Sequence, residues 1–161
     1  IAGEGSTLDI TRPHLSPEEV QDWGSGFISQ ALSLNLDNWD AVHKDIQKDF
    51  SAYGYKEYQD YLTRMNVQGL LKNNNMRMQA IADGPAQVLR EGLVSGTYHW
   101  LVQVPIMTTF YSNNVVKLKS KTDRPGQNQK LLVQIQIGRT QKEGANPKGI
   151  EIERWIVLSG K

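Results

Sequence analysis

The chain changes its hydrophobic period once. From Ser16 to about Leu71 apolar residues recur at three- and four-residue steps, and from Met76 onward they recur every second residue. Ser16-Pro17-Glu18-Glu19 carries a helix start: a hydroxyl cap, proline at the first helical position and a glutamate three residues past the cap, which together satisfy orphan backbone donors. Val20, Trp23, Phe27, Ala31 and Leu34 then line one side of a helix predicted to run to about Leu36. Gly24 and Gly26 weaken that helix, so packing must compensate. Asp37 is placed to cap a second helix with the stripe Trp39, Val42, Ile46 and Phe50. Ser51 restarts a third, with Tyr55, Tyr58, Leu62 and Met65, and a short helical turn through Val67 to Leu71 precedes the break at Asn73-Asn74-Asn75.

Beyond the break, strands are predicted at Met76 to Ala82, Gln87 to Val94, Thr97 to Tyr111, Lys130 to Thr140 and Gly149 to Leu158. In the longest, Tyr98, Trp100, Val102, Val104, Ile106 and Phe110 share one face, while Thr97, His99, Leu101, Gln103, Met107 and Thr109 share the other. Pro105 donates nothing to a ladder, so there the strand must be at an edge, bulged, or paired on one side only. Asp123-Arg124-Pro125-Gly126 and Gly144-Ala145-Asn146-Pro147 mark loops. Helices first and strands afterwards give an α+β class, with the helices packed on the concave face of one curved, mainly antiparallel sheet and Trp100 buried between. Residues 1–15, with Gly3, Gly5 and Pro13 and little periodicity, read as an extended leader or linker, and residues 16–161 as a single domain.

Composition narrows the chemistry. No run approaches the roughly 20 apolar residues of a membrane span. Without cysteine there are no disulfides, thiol nucleophiles or thiolate metal sites. The near-zero net charge hides an asymmetry: residues 1–60 hold eleven Asp/Glu against four Lys/Arg, a net −7, and residues 61–161 hold fourteen Lys/Arg against six Asp/Glu, a net +8. Such a division suits head-to-tail association; the plainer reading is that helices expose acidic residues and strands and loops basic ones. His14, His43 and His99 form no HxxxH, HxH or His-carboxylate motif, so no metal or cofactor is expected. His43 reads as a solvated helix residue and His99 as a surface or interface residue. No GxSxG nucleophile elbow and no GxxxxGK[ST] phosphate loop occur, which excludes an ATPase. The run Lys117, Lys119, Lys121 and Arg124 is the candidate interaction surface, readable as a phosphate or lipid-headgroup contact or as a solvated loop. No aromatics interleave it, so no specific nucleic-acid binding is expected.

Several of these residues also form a pattern. Leu15-Ser16-Pro17 enters a helix with Trp23, and Asn38-Trp39 opens the next. Gly92, Gly96, Tyr98, Trp100, Gln103 and Pro105 follow, then Asn146-Pro147, Gly149-Ile150 and Ile152-Glu153. In these the chain resembles the DotI/IcmL/TraM family, inner-membrane subunits of type IVB secretion and IncI-type conjugation machines. The resemblance implies the periplasmic domain of a protein with one upstream transmembrane helix. It also implies a nuclear-transport-factor-2-like fold similar to the VirB-type periplasmic domain. Trp23, Trp39, Tyr98, Trp100, Pro105, Ile150 and Ile152 are then structural core, and no catalytic residue is carried over. The implied role is that of a non-enzymatic scaffold whose partners are other inner-membrane and core subunits, in homo- or hetero-oligomers. The alternative is a small enzyme or ligand carrier built around a cone-shaped pocket between sheet and helices.

Overall fold

The computed structural model describes residues 9–113, 128–141 and 146–159. In chain order its elements are α1 (Pro17–Ala31), α2 (Trp39–Gln47), α3 (Ala52–Arg64), α4 (Val67–Asn73), β1 (Met76–Ala82), β2 (Gln87–Val94), β3 (Thr97–Ser112), β4 (Asn128–Arg139) and β5 (Ile150–Ser159).

The capping box at Ser16 closes α1: the Glu19 amide donates to Ser16 Oγ at 3.1 Å, and the Ser16 amide donates to Glu19 Oε1 at 2.9 Å. The helix ends at Ala31, five residues before the predicted Leu36. Leu34 leaves the helix because it exchanges two backbone bonds with Met78 of β1, at 2.9 and 2.8 Å, and still buries its side chain. The cap of α2 is Asn38 rather than Asp37. Asn35 and Asn38 each accept the other's amide through their side chains, at 2.8 and 2.7 Å, and Asp37 is left exposed. Ser51 caps α3, accepting the Gly54 amide at 3.0 Å.

Every strand pairing is antiparallel, in the order β1-β3-β4-β5, with β2 also on β3. The long β3 serves two neighbours on one side: its first half pairs with β2 and its second with β1. Pro105 sits where they meet. Its carbonyl accepts the Asp83 amide at 2.8 Å, so its ring nitrogen also faces the gap, and the ladder to Leu132 of β4 on the other side is undisturbed.

One face carries the core. Trp100, Val102, Val104, Ile106, Val133, Ile135, Ile137, Ile150 and Ile152 are all 0% exposed, beneath α1, α3 and α4. Glu153 is a bulge, since Ile137 pairs with Ile152 but Gln136 pairs with Arg154. The extra residue shifts the phase of β5. Strict alternation from Ile150 would turn Trp155 outward; the bulge turns it inward, edge-on to Tyr58 at 5.1 Å. A second bulge, at Leu89, interrupts β2.

Candidate functional site

Two places bring polar chemistry together. The first crosses the sheet. His99 on β3 is 6% exposed, with Nδ1 2.7 Å from the Thr97 carbonyl and Nε2 2.8 Å from Glu153 Oε1 on β5. Gly138 of β4 lies between them, and a Cβ there would fall 2.5 Å from Glu153 Oε2 and 2.6 Å from His99 Nε2. Glycine at this register position is what lets a β3 side chain reach a β5 side chain over β4. His99 is therefore not a surface histidine, and it does belong to a His-carboxylate pair. The pair was invisible as a motif because its members are 54 positions apart. The available signal was Gly138 interrupting a regular alternation opposite His99. Each ring nitrogen already faces a protein oxygen, so neither is open to a substrate.

The second place is a cleft of about 540 Å³ among α2, α3 and α4, lined by Trp39, His43, Gln59, Thr63, Asn66 and Lys72 among others. His43 is half-buried there rather than solvated. Its spacing of four from Trp39 stacks the two rings at 4.6 Å, and its Nδ1 lies 2.8 Å from the Trp39 carbonyl. This cleft is not the sheet-to-helix cavity of the ligand-carrier alternative, because side chains such as Phe27, Tyr58 and Trp100 occupy that interface.

The remaining residues singled out by sequence are dispersed. Trp23 is half-buried and stacks on Phe27 at 5.1 Å. Tyr98 meets Trp100 edge-on at 5.1 Å and donates its hydroxyl to Glu91 at 2.7 Å. Lys117, Lys119, Lys121 and Arg124 lie outside the described residues. Asn146 is buried, binding the Ile150 carbonyl through Nδ2 at 2.8 Å and the Ile150 amide through Oδ1 at 3.3 Å, which fixes the entry to β5. Burial raises the pKa of Asp49, opposed by a hydrogen bond from Asn146. Burial lowers that of His14, whose Nε2 meets the Lys148 carbonyl. Among the described residues no group of three His, Asp or Glu side chains is placed to hold a metal ion. No described helix is long and apolar enough to cross a membrane.

Helices laid on one face of a five-stranded antiparallel sheet define an α+β domain, with no open polar constellation in the layer between among the described residues. The periplasmic domain of DotI superposes with a TM-score of 0.77 at 22% identity, covering 92% of this chain and 99% of that one. A periplasmic fragment of TraM gives 0.77 at 20%, covering 90% and 98%. CagV, a VirB8 homolog from Helicobacter pylori, gives 0.62 at 12%, covering 88% and 98%. These likenesses establish the fold and bear out the α+β class and its VirB-type relation. The DotI/IcmL family model, described as a type-IV b secretion system inner-membrane complex component, matches residues 6–158, and the chain belongs to that family. Among curated protein sequences none matches this one.

Proposed function

We propose that this chain is the periplasmic domain of a single-span inner-membrane subunit and acts as a non-enzymatic scaffold in a type IVB secretion or conjugative DNA-transfer apparatus. Residues 16–161 form the domain, and residues 1–15 are the leader that links it to an upstream membrane helix. Its partners are other inner-membrane and core subunits, with self-association once anchoring concentrates and aligns the domains. The observation that carries this reading is the family match over residues 6–158. The geometry agrees with it: the buried histidine of the sheet is closed on both nitrogens by Thr97 and Glu153, which suits a structural cross-link rather than a proton shuttle.

The test is complementation. In a strain lacking the full-length protein, the domain tethered to the inner membrane restores transfer, while the soluble domain expressed to the same level does not. Restoration by the untethered domain would defeat the anchored-scaffold reading. Complete loss of transfer in His99→Gln or His43→Ala, with folding and membrane assembly intact, would restore the enzyme or ligand-carrier alternative.

A further inference from the structure

We infer that the tip of the β2–β3 hairpin, led by Leu93 and Val94, is a membrane-contact surface that seats on an anionic lipid bilayer; this rests on the anchored reading proposed above.

The tip is built to project. Ser95 and Gly96 both have positive φ, 51° and 82°, the two-residue turn whose twist matches that of its strands, so β2 and β3 stay paired to their ends. Leu93 and Val94 are 61% and 47% exposed, neighbouring aliphatic side chains at the extremity of the sheet.

The chain arrives at the same extremity. The Tyr98 amide donates to the Ile10 carbonyl at 2.7 Å, and Tyr98 is the cross-strand partner of Leu93. The buried Arg139 guanidinium at the end of β4 donates to the carbonyls of Asp9 and Arg12, at 2.7 and 2.9 Å. Residues 9–12 are thereby fixed beside the hairpin, and an upstream anchor pulls this end of the sheet toward the bilayer. The other end of the 16-residue β3, at Ser112, is about 50 Å away at 3.3 Å per residue.

Charge favours the same occupant. Arg12, Arg90 and Lys148 are exposed around this end. Arg12 is offset by Asp9 at 3.4 Å, Glu91 accepts the Tyr98 hydroxyl and Glu19 lies in the field of Lys148, so the lipid contact is carried chiefly by the aliphatic tip. An aliphatic tip with the exposed cations Arg90 and Lys148 at the same end matches a surface of acyl chains beneath anionic phosphates.

Because the chain has no cysteine, single labels are unambiguous. Val94→Cys and Asn113→Cys, each carrying an environment-sensitive nitrobenzoxadiazole dye, are tethered through an N-terminal histidine tag to vesicles of phosphatidylethanolamine and phosphatidylglycerol containing a nickel-chelating lipid. Doxyl-labelled lipid quenches the dye at position 94 at least about twofold more than at 113, as burial of an apolar tip at the interface requires. Adding Leu93→Asp to the position-94 variant, with its circular dichroism unchanged, removes the excess. Replacing phosphatidylglycerol with phosphatidylcholine weakens it. Equal quenching at the two positions, or an excess that survives Leu93→Asp, overturns the inference. So does shielding of position 94 in native inner membranes but not in protein-free vesicles, which assigns the tip to a protein partner. Transfer restored by an anchored domain whose position 94 stays in water would sink the lipid contact and leave the scaffold standing.

Discussion

The β5 and β2 edges of this sheet are treated in opposite ways. Along β5 the Ser51 amide donates to the Ile152 carbonyl at 2.9 Å, and the Ile152 amide donates to the Asp49 carbonyl at 2.7 Å. Further along, Glu57 accepts the Trp155 amide at 3.0 Å and both faces of the Arg154 guanidinium fork, at 2.9 and 3.1 Å. The edge is thus occupied by the link between α2 and α3 and by Glu57 of α3. Among the described residues no backbone group pairs with the outer edge of β2, which exposes Leu89, Leu93 and Val94 and is interrupted only by its bulge. A free edge is a template for association unless it is blunted. The comparison separates a strand whose outer edge is bonded to its own chain from one whose outer edge has no backbone partner among the described residues.

The largest break in that contrast is Gly54→Ala. A Cβ at Gly54 would overlap the Ile152 carbonyl oxygen, so α3 must retreat from β5. We expect a loss of about 3 kcal/mol in urea unfolding, the upper end of overpacking costs, although alanine is the better helix former. Next is Glu57→Gln, which removes the charge from the Arg154 and Trp155 contacts and costs about 1–2 kcal/mol near neutral pH. Burial alone would raise the Glu57 pKa, but Arg154 and the Trp155 amide together hold it below its ordinary value. Its contribution is therefore complete above the ordinary carboxylate range and fades as pH falls through the lowered pKa. The stabilities of the two proteins should converge in acid, and a gap that stays constant with pH would show the carboxylate to be uninvolved.

Asp49→Asn is expected to have a smaller effect of opposite sign. Burial raises this carboxyl, so what it contributes is present below its ordinary pKa and lost as pH rises through the raised one. At neutral pH the asparagine variant should melt higher than the parent, with the difference vanishing in acid; a lower melting temperature would refute the assignment. Leu93→Thr on the bare edge should change stability by no more than about 0.5 kcal/mol. Amide exchange sharpens the same contrast: Trp155 on the closed edge should exchange slowly and the β2 amides that face outward quickly.

The sequence by itself determined the order of elements and most of their limits, because period and caps are local properties. Ser16 and Ser51 cap as their neighbours dictate, and the switch from three-and-four spacing to alternation falls at Met76. It also carried the resemblance to the DotI/IcmL family, which the family match over residues 6–158 bears out. Tertiary structure decided whatever depended on partners distant in sequence. Leu34 left its helix because Met78 offered two backbone bonds. His43 was drawn from solvent by proximity to Tyr58 of the next helix. His99 found Glu153 only because Gly138 leaves the space above β4 empty, and Trp155 entered the core only because Glu153 is an extra residue in its strand. A two-residue period states which side chains share a face; it holds no record of which strand lies alongside, or where one more residue on that strand turns the face over.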